Sequence, residues 1–246
     1  MKSTLLKPLL TFLSLGFVLP LSSLAQTEQS ADPWQGFNRA IFTFNDTLDR
    51  WAIKPLARTY KFVMPDPLET GVSNIFNNVG EVPNTINGLL QGDFKGAAHD
   101  TGRFLLNSTI GVAGLLDVAQ YMNLPADDSE DFGQTLAVWG VGQGPYLVLP
   151  FFGPSTLRDG FGRPVDWYTS PTTYIDHVPT ENTVLAFSLM DTRAGLLELE
   201  KSISGDRYVF IRDVYLQRRA FLINNGEVSD DFGTEDFGEE EFDEEF

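Results

Sequence analysis

The chain has 246 residues with no cysteine, two histidines, and 34 acidic against 17 basic residues, a formal net charge of −17. Disulfides, thiolate nucleophiles and cysteine-ligated metals are thereby excluded, and no basic stripe marks a nucleic-acid surface. Eleven of the acids fall between Glu227 and Phe246 with no base among them, so the body is only mildly acidic and residues 227–246 read as a disordered, solvated tail.

The chain opens with Lys2 and Lys7, an apolar run from Leu9 to Leu21, and the small-residue site Ser23-Leu24-Ala25. That pattern predicts a cleaved secretory signal over residues 1–25. The run is too short for a bilayer of roughly 30 Å, which takes about 20 residues, and no later segment is long enough either. No cysteine follows the small residues, so lipidation at a mature N-terminus is not expected.

Residues 26–226 read as successive helices, and the expected fold class is all-α. Asp32-Pro33-Trp34-Gln35 looks like a helix start, with Asp32 as N-cap and Pro33 at the first position. Phe37, Ile41, Phe44, Leu48 and Trp51 then recur at helical spacing and Pro55 ends the element. Asp66-Pro67 starts a second helix, stopped at Gly80, with a short helix after Pro83. Asp93 caps the next one. Gly111 and Gly114 bring two small residues to an apolar face, a spacing that permits close helix approach. A linker over Pro164–Pro179 leads to helices over Glu181–Lys201 and Asp206–Ile223, the last closed by Asn224-Asn225-Gly226.

The segment Asp131–Asp159 follows neither period. It gathers Trp139, Tyr146, Leu147, Val148, Leu149, Phe151 and Phe152 among glycines and prolines. Surface loops are normally polar, so an apolar loop requires an apolar neighbour: a core, a partner or lipid.

Catalytic chemistry is poorly supplied. His99 and His177 stand apart without metal-ligand spacing, and no nucleophile elbow or phosphate loop occurs. The acids Asp127, Asp128, Glu130 and Asp131 are read as a solvated loop beside Pro125. No enzyme activity, cofactor or metal is expected.

Several blocks resemble the MlaA (VacJ) family. They run from Asp32-Pro33-Trp34-Gln35-Gly36-Phe37-Asn38-Arg39 through Asn87-Gly88-Leu89-Leu90-Gln91-Gly92 and Glu130–Leu136. They continue with Trp139–Gly142, Gly144–Pro150, Gly153–Asp159 and Tyr215-Leu216-Gln217-Arg218-Arg219. The resemblance covers residues 32–226. It implies a ring- or disc-like bundle of amphipathic helices on the periplasmic side of a Gram-negative outer membrane. It also implies transport: removal of mislocalised phospholipid from the outer leaflet, beside a trimeric porin, and delivery to a soluble periplasmic lipid carrier. The acidic tail is not part of that pattern.

On this basis Phe37, Ile41, Phe44, Leu48 and Trp51, with Tyr146, Leu147, Val148, Leu149, Phe151 and Phe152, are expected to face lipid or membrane. Asn38 and Arg39 are expected on the headgroup path. Two other classes stay open on the residues alone: a non-transporting outer-membrane organiser, and a hydrolase built on the Asp127–Asp131 acids.

Overall fold

The computed structural model describes residues 32–224 and Gly226. The expected signal segment and acidic tail lie outside the described residues. Helices dominate, with α1 at Gln35–Leu48, α2 at Lys54–Val63, α3 at Asp66–Gln91, α4 at Phe94–Thr109 and α5 at Phe132–Val138. After a short hairpin come α6 at Leu157–Thr169, α7 at Val178–Leu199 and α8 at Arg207–Ile223. Among the described residues no helix is long and apolar enough to cross a membrane.

Several element ends follow their caps. The Asp93 carboxylate accepts the Gly96 N–H at 3.0 Å, and Asp206 accepts from Tyr208 at 2.9 Å. Each satisfies donors that a helix start leaves unpaired. Asp32 behaves differently from expectation. Trp34 takes the cap position of α1, while the Asp32 carboxylate accepts from Asn38 at 2.8 Å and from the Tyr208 hydroxyl.

Three expected breaks are not breaks. Before Pro55 the helix widens into a π turn over Asp49–Ile53, where Lys54 donates to Asp49. That wider turn absorbs the proline, which has no N–H to give, and α2 continues directly. Gly80 and Pro83 both sit inside α3. A proline within a helix costs about 3 kcal/mol in isolation; here α3 is held along α4, with α5, α6 and α7 against it. Pro164 likewise lies inside α6, so the expected linker is helical from Pro164 to Thr169.

The apolar segment is a hairpin. β1 (Tyr146–Leu149) pairs antiparallel with β2 (Gly153–Thr156), Tyr146 opposite Thr156 and Leu149 opposite Gly153. Gly111 and Gly114 lie in a turn rather than on a helix face. Close approach is still their role: a Cβ on Gly114 would stand 2.9 Å from Asn78 of α3.

The interior is polar. Among the described residues, fifteen polar or charged side chains are buried against eight apolar ones, and four of the eight are alanines. The large apolar side chains lie outside: Trp51 is 80 % exposed, Phe62 90 % and Phe161 72 %. A protein folded by burying apolar surface from water shows the reverse balance. An exterior this apolar requires a non-aqueous neighbour.

Candidate functional site

Two asparagines of α1, one above the other two turns apart, hold the hairpin. The Asn38 amide donates to the Tyr146 carbonyl at 3.0 Å and accepts the Val148 N–H at 2.9 Å. Asn45 repeats the pattern lower down, on the Leu149 carbonyl at 2.9 Å and the Phe151 N–H at 2.8 Å. Backbone groups that a hairpin edge leaves open are thus satisfied by side chains.

This clamp sorts the expected lipid-facing residues. Phe37, Phe44, Trp51, Phe151 and Phe152 are exposed. Leu48, Leu147 and Leu149 are half-buried. Tyr146 and Val148 are buried and cluster with Tyr208, and Ile41 packs against that cluster. Those three residues therefore face the protein interior, not lipid. The reason is strand alternation: successive side chains of β1 point to opposite faces.

The two residues expected on the headgroup path both make contacts within the protein. Asn38 is fully buried in the clamp. Arg39 pairs with Asp206 at 2.8 Å and lies 4.5 Å over the Tyr208 ring, joining α1 to α8.

A cavity of about 760 Å³ opens between the hairpin, α6 and α8. Its lining combines apolar Leu149, Pro150, Phe152 and Trp167 with charged Asp131, Asp159, Arg163, Asp166 and Arg219. Nearby, α5 packs closely on α6. A Cβ on Gly162 would meet the Gly133 backbone nitrogen at 2.8 Å, so only glycine permits that approach.

Arg219 is buried and divides its donors between Asp131 (3.0 Å) and Asp159 (2.9 Å). The Tyr215 hydroxyl donates to Asp159 at 2.7 Å. Burial opposes the Asp159 charge, yet Arg219 and the hydroxyl outweigh it and hold the carboxyl below its ordinary value. Asp166 makes no ion pair among the described residues. Burial pushes it up to about 6, although it accepts from the Phe132 N–H at 2.7 Å. Arg163 lies 5.5 Å from the Phe152 ring centre and, among the described residues, donates only to the Pro154 carbonyl, at 3.5 Å.

A second, polar cavity of about 330 Å³ lies between α3, α4 and the 126–129 loop. Arg103 crosses its base, bonded to Glu81 at 2.7 Å, Asp117 at 3.2 Å and the Leu124 carbonyl at 2.6 Å.

The acids at 127–131 are not simply solvated. Asp128 pairs with Arg218, and Asp131 both caps α5 and pairs with Arg219. Among the described residues no acid or histidine cluster could hold a metal. His99 contacts Asp100 and His177 contacts Thr180, far from one another in use. Sequence reasoning missed Arg163, Asp166, Trp167 and Arg219 as a group, because residues of two helices meeting at one cavity carry no local signal.

Comparison with known proteins agrees with this architecture. A family model described as MlaA lipoprotein matches residues 30–222. The intermembrane phospholipid transport system lipoprotein MlaA of Escherichia coli (strain K12) is 36 % identical over 228 residues, covering 89 % of this chain and 90 % of that one. The protein of the same description from Haemophilus influenzae is 30 % identical over 230 residues, with 92 % of each chain covered. A solved structure described as "Structural basis for maintenance of bacterial outer membrane lipid asymmetry" superposes with a TM-score of 0.68 at 34 % identity, covering 78 % of this chain and 99 % of that chain. With its polar interior, apolar exterior and clamped hairpin, this chain belongs to the MlaA lipoprotein family.

Proposed function

We propose that this protein is the outer-membrane component of a phospholipid transport system. It takes mislocalised phospholipid out of the outer leaflet and passes it to a soluble periplasmic carrier, which maintains lipid asymmetry. The observation that carries this reading is the inverted burial: charged and amide side chains inside, large apolar side chains outside.

Energy sets the requirement. A phospholipid has about thirty chain methylenes, each worth about 0.8 kcal/mol when buried, so exposing both chains would cost on the order of 25 kcal/mol. A passive protein cannot supply that. It must keep the tails on apolar surface while giving the headgroup a polar path. The cavity beside the hairpin is lined by both kinds of side chain. No bond of the lipid needs to be broken, and this reading assigns the protein no enzymatic step.

The chain holds no cysteine, so retention after removal of residues 1–25 rests on the apolar exterior and on partners. A trimeric porin would cover part of that exterior.

The test is the outer-leaflet phospholipid of a strain lacking the gene, compared with the complemented strain. Accumulation that the intact gene reverses supports retrograde transport. An unchanged outer leaflet overturns it in favour of a non-transporting organiser.

A further inference from the structure

We propose that Arg163 is the phosphate contact of the transported lipid, in the cavity between the hairpin, α6 and α8. The proposal rests on the phospholipid-transport reading and assigns its headgroup step to one side chain.

The two arginines of this cavity differ in what remains free. Arg219 is committed, with Asp131 and Asp159 both bound to it. Arg163 has no carboxylate of the described residues in ion-pairing reach, and its single acceptor is the neutral Pro154 carbonyl at the long distance of 3.5 Å. A guanidinium has five N–H donors in a planar fork. Most of that fork is unspent.

The surroundings select the ligand. The guanidinium lies 5.5 Å from the Phe152 ring centre, and Phe152 and Trp167, both on the cavity wall, are exposed. A cation next to an apolar wall suits an amphiphile with an anionic head and a hydrocarbon body. The guanidinium fork matches two phosphate oxygens at once. Every glycerophospholipid carries that phosphodiester, so this contact reads the group lipids share and ignores the alcohol beyond it. Arg39, where the sequence pattern suggested a headgroup contact, is already held by Asp206 and Tyr208.

The experiment is saturation-transfer NMR on the full chain in detergent, with dihexanoyl phosphatidylglycerol, dihexanoyl phosphatidylethanolamine, dihexanoylglycerol and inorganic phosphate as probes. Arg163→Ala should weaken both phospholipids by about tenfold, which is about 1.4 kcal/mol, and leave dihexanoylglycerol unchanged. Arg163→Lys should recover part of the loss, because the charge remains and the fork does not. Arg50→Ala, on an exposed pair with Asp46, should change neither.

Equal binding by wild type and Arg163→Ala overturns the assignment. So does a matching loss for dihexanoylglycerol, which would mean lost packing, or inorganic phosphate binding as tightly as the lipids, which would mean a simple anion site. The transport reading fails separately. If the deletion strain keeps a normal outer leaflet, that reading falls; if it accumulates phospholipid while Arg163→Ala binds normally, only the Arg163 assignment falls.

Discussion

Asn38 holds Val148 as a neighbouring strand would, accepting its N–H at 2.9 Å while donating to the carbonyl of Tyr146 at 3.0 Å. The two ends of this contact are more than a hundred residues apart. Asn38→Ala would strand a buried donor and a buried acceptor, each costing about 1–3 kcal/mol. The variant should lose about 2–4 kcal/mol of stability, read as a lower denaturation midpoint in detergent. Asn45→Ala, in the more open half of the clamp, should lose less. An Asn38→Ala midpoint equal to wild type would show that the hairpin does not depend on α1.

Arg219 ties α8 to Asp159 of α6 and to Asp131, the cap of α5. Removing one partner of a buried ion pair typically costs about 3–5 kcal/mol, because the remaining charge has no compensation. Arg219→Ala leaves Asp159 buried with Arg158 at 3.2 Å as its remaining cation. The acid-dependent loss of stability should become shallower. In the wild type the depressed Asp159 pKa contributes stability that is lost as acid protonates it. In the variant only Arg158 and the Tyr215 hydroxyl hold that charge, so less stability should be lost to acid than in the wild type. Denaturation midpoints across the acidic range would decide, and parallel profiles for the two proteins would count against the pairing.

These two networks also mark what the sequence could express. Caps at Asp93 and Asp206, the extent of α8 and the family blocks are local patterns, and the structure reproduces them. Pro55, Gly80 and Pro83 are local patterns too, but they mislead, because a π turn and the packing of α3 override intrinsic preference. The hairpin was unreadable for another reason. Tyr146, Leu147, Val148 and Leu149 are all apolar, so alternation between faces leaves no polar mark. The same limit affected the α1 stripe: Ile41 turns to the core while Phe37, Phe44 and Trp51 face out. Arg219 meets Asp131 and Asp159 across 88 and 60 residues, a distance over which spacing carries no information.

Burial pushes Asp166 and Asp100 up to about 6 from the ordinary 3.8. Between those values the folded chain holds protons that the unfolded chain has released, so these groups make stability fall as pH rises through that window. Asp166→Asn keeps an acceptor for the Phe132 N–H and removes the ionisation. The variant should be no less stable than wild type at neutral pH, and its midpoint should change less across the window. Asp100 would keep its own share of the slope. An unchanged slope would mean that Asp166 is not the buried acid responsible.

Phe151 separates stability from membrane retention. It is 70 % exposed at the hairpin turn, and its φ of 68° places a bulky residue in the left-handed region. That conformation costs an L-residue about 1–2 kcal/mol and glycine almost nothing. Phe151 also makes an edge-on contact with Phe44 at 5.3 Å, worth about 0.5–1.5 kcal/mol. The two terms nearly cancel, so Phe151→Gly should leave fold stability within about 1 kcal/mol of wild type. Its effect on retention has no such compensation, because a large apolar side chain leaves the exterior. Phe151→Asp should go further, placing a charge where lipid contact is expected. Fractionation of the cell envelope should show retention declining from wild type to glycine to aspartate, while denaturation midpoints for wild type and glycine stay close. Full retention of the aspartate variant would mean that the hairpin turn meets water and that another part of the apolar exterior holds the membrane.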